Sequence, residues 1–240
     1  YRYKMLAYKE WYNLFQNGKL NEVQSQFFKP RTPEALYNIE EDPHETNNLA
    51  NDDNYNETLT GLRNELNNHL ISINDLSFLP EPHLLQNGLD DIVDYSEKNK
   101  DLIKSLIEIS DLMLYDYNEV SSKIKQALDD DNPWVRYWGL IVSSTFGDLA
   151  LENNEKINFI FENDSENLVR MRAAEFMLLN NIEISDSKIN SLLVRSNFEA
   201  EANLMLNTLA NLKTKNSNFK LELGKDCLLY TSPSPRDFTE

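Results

Sequence analysis

Asp131–Leu140, DNPWVRYWGL, is answered further along the chain by Ser165–Ala174, SENLVRMRAA, which places Val135 over Val169 and Arg136 over Arg170 at a period of 34 residues. A weaker third copy starts at Ser196. Repetition at this spacing is the mark of stacked supersecondary units, each too small to bury its apolar face alone. Each copy also opens with helix-start chemistry. Asn132 stands as a cap with Pro133 at the first helical position, and Ser196 with Glu199 three residues on reads as a capping box. Small residues follow at Gly139, Ala173 and Ala174, where neighbouring helices can approach closely. Upstream, Leu102, Leu106, Ile109 and Met113 make one helical stripe, and Val120, Ile124 and Leu128 make the next. From about Asn99 onward the chain therefore reads as helix after helix without strand signals, and the mixed stretch Leu84–Asp94, with Gly88, reads as a linker holding one short helix.

The repeat resembles HEAT-like repeats, in which an Asp stands six residues before an Arg and the two build a ladder between successive copies. Asp130/Arg136 and Asp164/Arg170 have that spacing. In the third copy the charges are reversed, as Arg195/Glu201, which marks a terminal or degenerate repeat. The resemblance implies an α-solenoid over residues 99–226, with the arginines as ladder residues rather than anion ligands.

A second informative stretch is Phe27–Ala50, FFKPRTPEALYNIEEDPHETNNLA. Glu34–Ile39 reads as a short strand, since Leu36, Tyr37 and Ile39 favour extended backbone and Pro30 and Pro33 keep a helix from starting earlier. A tight turn is expected next: Asp42 accepts backbone N–H groups, and Pro43 has its φ already set. Leucines at 59, 62, 66 and 70 then form one helical stripe. An earlier helix is expected over Lys4–Phe15.

This order resembles the C-terminal subdomain of the type I, formylglycine-dependent sulfatases, whose members carry a segment of the form E-L-Y-D-L-E-x-D-P-x-E-x-x-N-L-A before a long closing helix over a small antiparallel sheet. Ala35, Asn38 and Ile39 depart mildly from that pattern. Trp11-Tyr12-Asn13-Leu14-Phe15, Gly18-Lys19-Leu20 and Phe78-Leu79-Pro80-Glu81 extend the resemblance over about residues 1–81. The fold class expected is mainly α: a small α+β sulfatase C-terminal subdomain remnant over 1–81, a linker over 82–98, and a HEAT-like α-solenoid over 99–226. Sulfatases hydrolyse sulfate esters with a formylglycine made from Cys or Ser in C/S-x-P-x-R, with Asp and Asn ligands for calcium and with Lys, His and Arg around the sulfate. No such motif occurs in this chain. The resemblance thus implies calcium and formylglycine for a missing catalytic domain, and no catalytic, cofactor-binding or metal residue within this fragment. The chain starts at Tyr1 with neither an initiator Met nor a secretory signal, so truncation at the N-terminus is expected. At the other end, residues 227–237, CLLYTSPSPRD, resemble a translated sequencing adapter, and residues 227–240 are read as a non-native tail that includes the single Cys227.

Composition narrows the partners. A formal charge of −17 repels polyanions, which argues against nucleic acid and anionic membrane surfaces; Lys29 and Arg31 are the nearest thing to a basic cluster. The acidity reads as a solvated, self-repelling surface. No apolar run approaches the ~20 residues of a membrane span.

The remaining candidates each have a plain structural reading. His44 sits in an acidic turn beside Asp42 and Glu45, and a solvated turn residue is the simpler account; His69 and His83 have no partners at metal or triad spacing. Asp129-Asp130-Asp131 lacks the alternating ligands and glycine of a calcium loop and reads as a capped turn. Trp134 and Trp138, four apart, form an aromatic platform or pack between repeats, the second being preferred. The sequons at Asn56 and Asn163 are chance matches. The expected function is that of a non-catalytic, inactive fragment of a periplasmic or secreted sulfatase acting on sulfate esters or N-sulfates of a carbohydrate. Its partners are its own catalytic domain and a protein bound by the repeats. The alternatives are a non-enzymatic helical-repeat binding module and a phosphoesterase of the alkaline-phosphatase superfamily.

Overall fold

Residues 5–196, 198–215 and 221–224 are described in a computed structural model of the chain; the expected tail at 227–240 lies outside them. The helices run, in order, α1 (Leu6–Gln16), α2 (Glu22–Ser25), α3 (Asn56–Ser72), α4 (Glu81–Asn87), α5 (Ile92–Lys98), α6 (Lys100–Ser110), α7 (Tyr117–Asp129), α8 (Pro133–Phe146), α9 (Asn154–Asn163), α10 (Asn167–Leu179), α11 (Asp186–Val194) and α12 (Glu199–Lys215). The fold is mainly α, as the apolar periodicity predicts. Two compact units divide it, Tyr1–Leu66 and Asn67–Glu240.

Within the first unit the Asp-Pro turn forms as its chemistry dictates. The Glu45 N–H bonds to the Asp42 carbonyl at 3.0 Å. The Asp42 carboxylate accepts the Thr46 and Asn47 N–H groups at 2.7 and 2.8 Å and the Thr46 hydroxyl at 3.0 Å. The Asn47 N–H, aided by Thr46, holds this carboxyl below its ordinary range. The expected strand at Glu34–Ile39 is not formed, and the described residues contain no strand. An extended segment becomes a strand only when a neighbour completes its hydrogen-bond ladder. Here Leu36 instead closes onto its own downstream loop: its N–H bonds to Asn48 Oδ1 at 2.9 Å and its carbonyl accepts the Leu49 N–H at 2.8 Å. Arg63 on α3 reaches back to the Glu34 carboxylate. An aromatic cluster of Tyr8, Trp11, Tyr12, Phe15, Phe27 and Phe28 joins α1 to the stretch after α2, with Phe15 and Phe28 stacked at 4.7 Å. No described residue before Leu79 is buried.

The second unit has the core. Leu106, Val120, Ile124, Leu128, Leu140, Val142, Ile157, Val169, Phe176 and Leu192 are all buried within one cluster. The helices opened by the two strong repeat copies, α8 and α10, pack directly against each other; α7 and α6 also lie against α8, and α9 and α12 against α10. Asn132 caps α8 by accepting the Trp134 N–H at 2.9 Å, with Pro133 at the first position. The third copy differs: α12 begins at Glu199, so Glu199 is the first helical residue rather than the third, and the Ser196 hydroxyl instead meets the Phe198 N–H at 3.4 Å. Leu84–Asp94, where one short helix was expected, is shared by two, the end of α4 and the start of α5. The second is nucleated by the Asp91 carboxylate accepting the Asp94 N–H.

Gly139 sets the approach of α7 to α8, since a Cβ placed there would lie 3.1 Å from the Ala127 Cβ and 3.4 Å from its carbonyl carbon. Gly139→Val is expected to lower the unfolding free energy by about 1–3 kcal/mol through overpacking. Gly61→Ala, in α3 with open space around the added methyl, is expected to raise it by about 0.5–1 kcal/mol. Urea titration of both variants beside the parent chain checks the pair.

Candidate functional site

Arg136 lies where the sequence placed a ladder residue, at the start of α8. Its Nε donates to the Asp164 carboxylate at 2.7 Å, across to the second repeat copy, while its Nη1 donates to the Asp130 and Asp131 carbonyls at 2.7 and 2.9 Å. The Asp164 side chain is only 3 % exposed. Its other oxygen accepts the Glu166 N–H at 3.0 Å. The rung thus joins one copy to the next, and these donors are spent on the protein itself rather than offered to an anion. Arg170 does not repeat it. Its Nε donates to the Phe161 carbonyl at 2.6 Å and its guanidinium rests 5.9 Å from the Phe161 ring. Toward the third copy the link is carried by Asn167, which donates to Glu201 at 3.0 Å. Burial, followed by the nearby Glu201 and Asp164 charges, pushes the Glu166 carboxyl up.

Asp129-Asp130-Asp131 is a turn: Asp129 pairs with Lys156, and Asp130 accepts the Asn132 N–H at 2.8 Å. Among the described residues no group of three or more His, Cys, Asp or Glu is placed to hold a metal ion, so these residues do not fit the calcium that the sulfatase resemblance implies. His44 is exposed in its turn. The tryptophans are packing residues, and each also meets a residue upstream of the repeats. Trp138 donates its indole N–H to the Phe78 carbonyl at 2.7 Å and lies 5.5 Å from the Phe78 ring. Trp134 is buried against the His83 ring at 4.5 Å. His83, on α4, also pairs its Nε2 with the Tyr95 hydroxyl of α5 at 2.7 Å. The two tryptophans therefore fasten the residues just before and within α4 onto α8. Burial holds the His83 imidazole below its usual range.

A cleft lies between α7 and α9, an open hollow of about 600 Å³ lined by Lys125, Asp129, Glu152, Asn153, Lys156 and Phe159 among others. Tyr117 donates to Glu152 at 2.7 Å, Asn153 donates to the Tyr117 oxygen at 3.2 Å, and Lys125 approaches Glu152 at 3.1 Å. Burial, then the bond to Glu152, pushes the Tyr117 hydroxyl up to about 12. The same bond from Tyr117, with Lys125, holds Glu152 down. Tyr117 thus stays protonated and Glu152 charged, and the pair braces the turn before α9. No spacing in the sequence points to it: Tyr117 and Glu152 stand 35 positions apart and meet only once α7 and the turn before α9 have packed.

The chain carries a sulfatase-related region. Over 86 residues it is 41 % identical to an ulvan-active sulfatase of Formosa agariphila, a match that covers 35 % of this chain and 14 % of that protein's length. No family model matches the chain, and no solved structure matches it. No helix among the described residues is long and apolar enough to cross a membrane.

Two outcomes are expected. Arg136→Ala leaves the Asp164 carboxylate buried without its cation and costs about 3 kcal/mol in urea unfolding. Arg136→Lys recovers little, because one ammonium cannot serve a carboxylate and two carbonyls in a fixed fork, and Arg136→Met with Asp164→Leu recovers most of the loss. For His83, the unfolded chain binds the proton more readily than the folded one. The stability its neutral form contributes is complete above pH ~6.5 and is lost as pH falls through the depressed folded value. The difference in urea midpoint between the parent chain and His83→Gln is expected to shrink from pH 7.5 to pH 5, and a difference that grows would contradict it.

Proposed function

We propose that this chain is a non-catalytic C-terminal part of a sulfatase whose remaining domain hydrolyses sulfate esters or N-sulfates of a carbohydrate in the periplasm or outside the cell. The observation that carries the reading is the 41 % identity over 86 residues to an ulvan-active sulfatase. Two features of the chain accord with it. It contains no C/S-x-P-x-R run from which a formylglycine is made, so the nucleophile and its calcium belong to residues outside it. The first unit also leaves apolar side chains uncovered, among them Leu6 at 81 % exposure, Ile39, Leu62 and Leu66, as a segment resting on a further domain would when described by itself.

In this reading residues 99–226 are HEAT-like repeats that brace the protein or hold a protein partner. The Arg136–Asp164 rung and the close approach at Gly139 support that part. Catalysis by the whole protein draws on the electrostatic work of a metal and basic groups around the sulfate, and this chain's own share is to pack and position.

Assayed on ulvan and on an aryl sulfate, the purified 240-residue chain is expected to release no sulfate above buffer, and turnover would overturn the proposal. Reading the gene upstream of Tyr1 separates the alternatives. C/S-x-P-x-R supports the sulfatase, a Ser or Thr nucleophile without it supports a phosphoesterase relative, and the absence of any such domain leaves a helical-repeat binding module.

A further inference from the structure

Helix α4 meets two helices of the core, and its tie to α8 runs through one titratable ring. His83 lies against the buried Trp134 of α8 at 4.5 Å between ring centroids, and α12 packs against the same short helix. Since α8 and α12 each lie against α10, α4 straps the first repeat copy to the third. Tyr95 of α5 completes the strap. Its ring seats on Gly88, where a Cβ would lie 3.2 Å from Tyr95 Cδ1, and its hydroxyl meets His83 Nε2 at 2.7 Å. All of these residues belong to the second unit.

The hydrogen bonds around His83 admit one protonation state. Asn87, one helical turn on, donates its amide to the His83 carbonyl at 2.8 Å, and the same nitrogen stands 3.2 Å from His83 Nδ1. A carbonyl can only accept, so the amide nitrogen is fixed in that place and Nδ1 must offer it a lone pair. The proton of the neutral ring is then on Nε2, which donates to the Tyr95 oxygen. A second proton would have to sit on Nδ1 and point at an NH2 group with no acceptor to give it. No carboxylate stands ready to hold the cation either. The charged side chains of α4 and α5, namely Glu81, Asp91, Asp94, Glu97 and Lys98, are all exposed. On α8 Arg136 is spent on Asp164, and α12 carries Glu199, Glu201 and Lys213. Burial, and none of these charges, displaces the imidazole from its usual range, while burial pushes the Tyr95 hydroxyl up and keeps it a phenol.

We propose that α4 is an acid-released strap: protonation of His83 at Nδ1 breaks the Asn87–His83–Tyr95 arrangement, and α4 with α5 lifts off α8 and uncovers Trp134 while the helical core stays folded. The open strap takes up the proton more readily than the closed one. Opening is therefore driven once pH falls below ~6.5, and it grows until the lower value of the closed state is passed. The inference rests on the geometry around His83 and is independent of the sulfatase reading.

Hydrogen exchange of the full chain at pH 7.5 and pH 5, corrected for the intrinsic pH dependence of the exchange rate, tests it. Peptides covering residues 81–98 are expected to lose about tenfold in protection on acidification, one proton's worth over one pH unit, while those covering α10 keep theirs. His83→Gln, which takes up no proton, is expected to abolish the pH dependence over 81–98. Asn87→Asp sets an acceptor against Nδ1 and is expected to hold the imidazolium in place, so that the strap stays closed at pH 5. A side chain that only fills space would not respond to that exchange of donor for acceptor. No loss over 81–98 in the parent chain, an equal loss over α10, a loss that persists in His83→Gln, or a loss in Asn87→Asp as large as the parent's would each overturn the proposal.

Discussion

The guanidinium of Arg136 is the constraint on which the helical core depends. Helix C-termini leave carbonyls without intrahelical donors and carry partial negative charge, and two such ends must be brought together if successive repeat copies are to stack. Arg136 takes the Asp130 and Asp131 carbonyls just after α7 and, with its Nε, the Asp164 carboxylate at the end of α9. One side chain thereby ties the α7–α8 turn to the α9–α10 turn. That leaves α8 and α10 side by side, where Gly139 and the buried Ala173 and Ala174 let backbones come close. The rung's cost is the desolvation of Asp164, which the Glu166 N–H offsets by occupying the second oxygen.

The parts of this fold legible in the sequence are those whose chemistry is local or periodic. The Asn132-Pro133 start, the buried stripe Val120, Ile124 and Leu128, and the Asp42 turn each follow from residues within a few positions of one another, and the 34-residue period shows when the chain is compared with itself. What was not legible depends on partners far along the chain. Glu34–Ile39 has strand-forming residues, but a strand is a property of two segments, and Leu36 finds its acceptor and donor in Asn48 and Leu49 instead. Arg170 has the same offset from Asp164 as Arg136 has from Asp130. Its fork nevertheless turns to the Phe161 carbonyl, because the third copy presents Glu201 to Asn167 rather than an Asp at the matching place. His83 lacks partners at any motif spacing and acquires Tyr95 and Trp134 only where α4 meets α5 and α8.

The formal charge of −17 is a property of the surface, and the local electrostatics of the core run against it. Lys125, Lys156 and Arg136 are each set against a carboxylate. In the α7–α9 cleft the lysines therefore bring no net positive field to attract a sulfated chain from solution. The Tyr117–Glu152 bond is of the same kind, a phenol held protonated against a carboxylate. These polar groups brace turns between helices.

The two units divide these roles unequally. None of the first unit's described residues is buried, and its order rests on short-range devices: the Asp42 turn, the Arg63–Glu34 pair and a partly exposed aromatic cluster. The second carries a contiguous core. The likeness to the sulfatase spans 86 residues, more than the 66 of the first unit, so wherever it falls it includes part of the second. The sulfatase-related region and the helical core therefore share residues. A fold by itself assigns no activity, but shared residues mean that the core and the sulfatase-derived sequence are parts of one folding problem. The contacts that fasten α4 and the segment before it onto α8, through Trp134 and Trp138, are where a change in one would be felt by the other.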